Sequence, residues 1–147
     1  MPFYRKNLTS ILLASLLTLS ACDMPSTDAT KLVATLAAAS EVPPIDSKAS
    51  GEADVKIDVK DYKLSWTIKH SDLSGIVTGA HFHGPAAAGE NADVVVPISG
   101  DLISPIKGEA TLTAEQTAEL LEGKWYINLH TAAHPDGEIR GQVMNKN

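Results

Sequence analysis

Three histidines in two short stretches carry the most readable chemistry of this chain. Gly79-Ala80-His81-Phe82-His83-Gly84-Pro85 holds two of them two residues apart, and Trp125-Tyr126-Ile127-Asn128-Leu129-His130 ends on the third. Side chains alternate between the faces of a strand, so His81 and His83 project from one side while Ala80 and Phe82 project from the other. The same parity separates an apolar set, Trp125, Ile127 and Leu129, from a polar set, Tyr126, Asn128 and His130. If the two strands are neighbours with their apolar faces in one core, His81, His83 and His130 converge outside it. Neutral imidazole ligates copper and zinc, so the chemistry that suits this spacing is capture of a transition-metal ion, with copper favoured by the general divalent affinity order. His134 is a fourth candidate, because its Pro135-Asp136-Gly137 loop can fold it back over the site or leave it in solvent. The plainer alternative is that each ring bonds a loop carbonyl and fixes a turn. His70 is read as structural, Asn128 and Tyr126 as supports behind the ligands or ordinary sheet residues, and Glu138 with Arg140 as a cross-strand ion pair.

The elements that must position these groups are mostly strands. Leu32 to Ala38 reads as a first strand, closed by Glu41-Val42-Pro43-Pro44, since proline cannot continue a sheet interior. Val55, Ile57 and Val59 alternate with Asp54, Lys56, Asp58 and Lys60. After a turn at Asp61, Tyr62, Leu64, Trp66 and Ile68 alternate with Lys63, Ser65, Thr67 and Lys69. Period-two alternation on both sides of a tight connection predicts an antiparallel hairpin with one face in solvent. Val94 to Ile98 reads as a short strand whose Pro97 favours an edge, and Lys107 to Leu112 as another. Thr113 and Gln116 have capping-box spacing, Ala114, Ala118 and Leu121 supply an apolar stripe, and Gly123 ends a short helix near 114–122. Trp125 to His130 and Glu138 to Met144 form the last strand pair. The fold class is therefore mainly β, an antiparallel β-sandwich or Greek-key barrel with one short helix.

The N-terminus reads as an address. Arg5 and Lys6 precede an apolar run from Leu8 to Leu19, too short to span a bilayer but suited to an export signal. The run ends Leu19-Ser20-Ala21-Cys22, which resembles the bacterial lipobox. This divides the chain into a lipoprotein signal peptide at 1–21, a lipidated Cys22 with a polar tether at 22–30, and one β domain at 31–147. Cys22 then anchors an extracytoplasmic domain to a membrane, on the periplasmic side in a Gram-negative cell, with inner and outer membrane left open. Cys22 is the only cysteine, so the mature domain has no internal disulfide and depends on its core. Loss of the leader removes Arg5 and Lys6, leaving ten basic against eighteen acidic side chains and a net charge of −8. No basic patch is present, which excludes nucleic acid as a partner.

Four motifs in order resemble the CHRD (chordin-type) domain family, from about Leu32 to Met144. They are Glu41-Val42-Pro43-Pro44 followed by Gly51, Ala80-His81-Phe82-His83-Gly84-Pro85-Ala86, Leu112-Thr113-Ala114-Glu115-Gln116, and Tyr126-Ile127-Asn128-Leu129-His130-Thr131 followed by Gly137-Glu138-Ile139-Arg140-Gly141-Gln142. The resemblance implies an exported, mostly β domain and no settled activity. In animals such domains occur in a secreted growth-factor antagonist whose cysteine-rich modules are the usual growth-factor binders, and this chain has no such module. More locally, Gly79-Ala80-His81-Phe82-His83 resembles the copper-holding strand of copper-zinc superoxide dismutases. Arg140, the only arginine of the mature chain, follows the third histidine as the active-site arginine does there. The chain departs from those enzymes in lacking a disulfide pair and the long zinc-carrying loop.

Catalytic motifs are scarce. There is no Gly-x-Ser-x-Gly elbow, no free thiol in the domain beyond Cys22 and no phosphate loop, so hydrolase and nucleotide-dependent activities fall away. Two readings of different classes remain: a lipid-anchored module that binds copper, with zinc second, and a non-catalytic adhesion or interaction module that meets a protein partner. A dismutase-like redox enzyme ranks third, so catalysis is not the expected role.

Overall fold

The computed structural model describes residues 29–146. The leader, Cys22 and most of the tether lie outside the described residues. Nine strands form one antiparallel sheet: β1 (Ala29–Ala37), β2 (Ser50–Asp58), β3 (Lys63–Ser71), β4 (Val77–His83), β5 (Val94–Pro97), β6 (Ile106–Thr111), β7 (Tyr126–Thr131), β8 (Ile139–Gln142) and β9 (Met144–Asn145). Their order is β5-β4-β7-β8-β1-β2-β3-β6, with β9 paired to β1. The sheet curls into a nearly closed barrel. Strands far apart in that order meet across its interior, where the rings of Trp66 on β3 and Phe82 on β4 stand edge to face at 5.2 Å.

The hairpin of β2 and β3 follows its sequence pattern. Val55, Ile57, Leu64, Trp66 and Ile68 are buried, and Asp54, Lys56, Lys63 and Ser65 between them are exposed. Val59 and Tyr62 leave that pattern because the strands end at Asp58 and restart at Lys63, which puts both residues in the turn, 41% and 38% exposed. Asp58 caps this turn, its carboxylate accepting from the Lys60 and Asp61 amides. Pro97 sits on an edge strand, where its missing amide proton costs no ladder bond.

The helix α1 (Ala114–Leu121) links β6 to β7 and begins with the full capping box of Thr113 and Gln116. Its buried face differs from the expected stripe. Thr117 and Leu120 are buried, Leu121 is only partly so, and Ala114 and Ala118 face solvent. Leu120 carries more apolar area than either alanine, so the helix turns that residue into the core.

β7 also departs from simple alternation. Trp125, Ile127 and Leu129 line the barrel interior, yet Tyr126 and Asn128 on the other face are only 2% and 5% exposed. Three connections cover that outer face: the turn after the short 3-10 segment Ala38–Ser40, the loop 84–93, and the loop 132–138. A layer of polar side chains is thus buried between the sheet and its loops.

Candidate metal centre

The ladder sets the outer-face neighbours. Across β4 and β7, His83 pairs with Tyr126, His81 with Asn128 and Gly79 with His130; across β7 and β8, Tyr126 pairs with Gln142 and Asn128 with Arg140. A bulge between Val77 and Gly79 shifts the register beside His130. Gly79 then keeps the floor low: a Cβ there would already be in van der Waals contact with both His81 and His130. The two rings meet over it, with centroids 5.0 Å apart, and His81 and His83 lie 5.5 Å apart edge to face.

His81, His83 and His130 come together as the sequence parity requires. Each offers one nitrogen, and these three atoms lie within 4.8 Å of one another on half-buried rings. His83 Nδ1 is 3.0 Å from the Ala92 carbonyl and His130 Nδ1 is 2.9 Å from the Pro135 carbonyl. A carbonyl only accepts, so both rings carry their proton on Nδ1 and present the Nε2 lone pair. His83 Nε2 is buried and has no hydrogen-bond partner. His130 Nε2 is 3.1 Å from His81 Nδ1. Two nitrogens on a tetrahedral ion with bonds of about 2.0–2.1 Å stand about 3.3 Å apart, so this pair is already at ligand spacing.

The electrostatics favour lone pairs over protons. Burial, then the adjacent His130 and His83, push the His81 imidazole below its ordinary value. Burial also pushes His83 down, and His130 and Arg140 add to this against the opposing Ala92 bond and Asp93. Both rings are therefore neutral at neutral pH, the form that ligates.

His134 does not join the group. Its backbone closes the turn after β7, with reciprocal bonds to Thr131 of 3.3 and 3.1 Å and a further bond from the Gly137 amide. His70 is separate as well, its Nε2 3.3 Å from the Leu102 carbonyl. The expected ion pair of Glu138 and Arg140 is not formed. Arg140, 2% exposed, donates to Asn91 Oδ1 at 2.9 Å and to the Glu90 carbonyl, and its guanidinium lies 3.5 Å over the Tyr126 ring. Glu138, fully buried, accepts from Ser47, from the amide and hydroxyl of Ser74, and from Thr131. Burial pushes the Glu138 carboxyl up, but these four donors outweigh it and hold it below the usual carboxylate range. Partners with fixed geometry win over a bare charge pair because each satisfies a specific lone pair.

Sequence reasoning missed Glu41 as more than a motif residue. It is 7% exposed, and its two oxygens accept from Asn128 Nδ2 at 3.3 and 3.1 Å. Burial pushes its carboxyl up to about 7, against the opposing Asn128 bond and Arg140. Gly137, at φ +132°, lets this pair close, since a Cβ there would fall 2.6 Å from Asn128 and 2.8 Å from Glu41. The loop residues Asn91 and Ala92 were missed too. Ala92 acts through its backbone carbonyl, which is invisible in a side-chain pattern, and Asn91 through a side-chain amide in a loop that has no periodicity.

A nearly closed antiparallel barrel with a histidine cluster on its outer face defines the class of this protein. The chain belongs to the CHRD domain family, whose model matches residues 32–143. That is an extracellular-type domain. Among the described residues no helix is long and apolar enough to cross a membrane. No curated protein and no solved structure matches the chain. No comparison shows the dismutase resemblance expected from the Gly79–His83 strand, and Arg140 is turned into the 84–93 loop.

Proposed function

We propose that this CHRD domain binds one transition-metal ion through His81, His83 and His130, with copper favoured over zinc. The observation that carries the reading is the buried, partnerless Nε2 of His83, on a ring whose other nitrogen is already committed to Ala92. A buried polar atom left unpaired costs about 1–3 kcal/mol, and an ion at this point repays that cost. The ion also replaces the proton that His81 and His130 share, and His81 then carries its proton on Nε2. Retained Nδ1 bonds to carbonyls are the ordinary outer support of metal-binding histidines. Three protein ligands on half-buried rings would leave a coordination position free for water or a small ligand, an arrangement that suits exchange.

Calorimetric titration of the untagged mature chain with copper(II) and zinc(II) tests this. Saturable 1:1 binding with copper tighter is the expected result, with a loss of at least about 100-fold in His83→Ala, the size of effect a ligand exceeds when its outer supports alone account for 10–100-fold. Absence of saturable binding at micromolar metal would sink the site. We further propose that Cys22 is lipidated and holds the domain on the extracytoplasmic face of a membrane, on the basic start, apolar run and Leu-Ser-Ala-Cys ending. Mass spectrometry of the membrane-derived chain should find a diacylated Cys22 as its first residue; an intact leader would refute this.

A second reading, an interaction module with structural histidines, has its own observation. Ile76 and Ile103 stand 84% and 75% exposed on two loops that flank an apolar groove of about 690 Å³ with Leu73 and Leu102. This reading expects no stoichiometric metal, and an unchanged fold when the three histidines are replaced together by glutamine.

A further inference from the structure

We propose that Arg140 is a positioning residue for the metal centre: it clamps the 84–93 loop and so fixes the Ala92 carbonyl that holds His83 with its Nε2 lone pair toward the ion. This rests on the metal reading for its purpose, though not for its geometry.

The loop has two backbone bonds of its own, Glu90 to Ala87 and Gly84 to Asp93, and little packing. Ala86 to Asn91 is built of alanine, glycine, one glutamate and one asparagine, with Gly89 at φ +86°, so it offers little side-chain area to bury. A segment of this kind is costly to order, and ordering it requires bonds from outside. The start of the loop is held at Ala86, which accepts from Gln142 and donates to the Lys124 carbonyl; the end nearest Ala92 is held by Arg140. One guanidinium nitrogen binds Asn91 Oδ1, another binds the Glu90 carbonyl, and Asn91 in turn donates to the Val42 carbonyl at 3.3 Å. The flat face of the same group packs on Tyr126.

Tyr126 completes the route to the ligand. Its hydroxyl accepts from the Ala92 amide at 3.2 Å and donates to the Ala92 carbonyl at 3.3 Å. Its ring is parallel to that of His83, with an interplanar angle of 2° and centroids 4.8 Å apart. The Ala92 carbonyl is therefore bonded by both His83 Nδ1 and Tyr126, in a loop fastened one and two residues earlier by Arg140. Arginine is required on chemical grounds. Its planar fork serves two acceptors while its face stacks on an aromatic ring, whereas lysine supplies the charge alone.

Arg140→Lys separates geometry from charge, since it retains the positive charge near the site. In the metal-free chain, ¹⁵N NMR of the His83 imidazole should show the Nδ1–H tautomer alone in the wild type and a mixture in Arg140→Lys. Copper(II) affinity should fall 10–100-fold in that variant, the usual effect of losing an outer support of a metal-binding histidine. An Arg140→Lys protein with wild-type tautomer and less than about a three-fold change in copper Kd would overturn the proposal. Should that variant fail to fold, Asn91→Ala provides the same reading, because it deletes the side-chain acceptor that Arg140 holds on the loop and leaves Tyr126 and His83 in place. A wild-type tautomer and affinity in Asn91→Ala would overturn it equally. A wild-type chain that takes up no copper defeats the metal reading, and the metal-free spectra then decide the clamp independently.

Discussion

On β2 and β3 the polar positions Glu52, Asp54, Lys56, Lys63 and Ser65 stand in solvent, whereas on β7 and β8 the corresponding outward positions Tyr126, Asn128 and Arg140 are buried. Both regions alternate with period two, and both turn their apolar residues into the same interior. The difference lies in what covers the outer face. Among the described residues the hairpin's outer face stays exposed, with the Lys146 side chain reaching Asp54 at 3.8 Å, while the turn at Glu41, the loop 84–93 and the loop 132–138 lie over β7 and β8. Covering a polar face forces each group on it to find a partner, which is how an ordinary sheet surface becomes a site of fixed tautomers and shifted carboxylates.

The inner face is the larger energetic contribution in both regions, and removing Trp66 tests it. Trp66→Ala should destabilise by about 3–5 kcal/mol in urea unfolding, the range for a buried large aromatic. A loss below about 1 kcal/mol would mean that the hairpin's inner face is not core. Next in size is the covered face. Glu138→Ala leaves four donors from Ser47, Ser74 and Thr131 without their acceptor, and should cost at least about 3 kcal/mol. A cost near that of a surface change would show that those bonds are replaced by water.

Glu41 sharpens the comparison through pH. An unfolded chain releases its proton near 4.5 and the folded chain near 7, so the folded state holds one more proton between those values. Its contribution to stability should therefore fall as pH rises from 4.5 to 7, by up to about 1.4 kcal/mol per unit, and level off above it, against the rise that the depressed His81 and His83 imidazoles contribute below 6.5. Glu138 has the opposite sign: its folded value is depressed, so its contribution is complete above 4.5 and is lost as pH falls through the lower folded value. The two carboxyls differ because Glu138 has four donors and Glu41 has one amide group shared by both oxygens. In a pH series of unfolding curves, Glu41→Gln should remove that downward contribution and make the slope between 4.5 and 7 more positive than in the wild type; an unchanged slope would assign it to another group. The smallest effect belongs to the uncovered face, where Lys56→Gln should change stability by no more than about 0.5 kcal/mol.

The sequence by itself determined the main strands, the alternating hairpin, the capped helix, and the shared polar parity of His81, His83 and His130. Each of these follows from side-chain parity along one strand or from spacing within one turn, and local rules suffice for both. It did not determine the fate of the polar face. Whether Tyr126 and Asn128 meet water, whether Glu138 pairs with Arg140 or with three hydroxyls and an amide, and whether His134 folds back all depend on where loops distant in sequence come to rest. Glu41 lies 87 residues from Asn128, and Ser47 lies 91 from Glu138. Only closure of the barrel sets those distances, because a buried polar group takes whichever partner the assembled chain brings within hydrogen-bond reach.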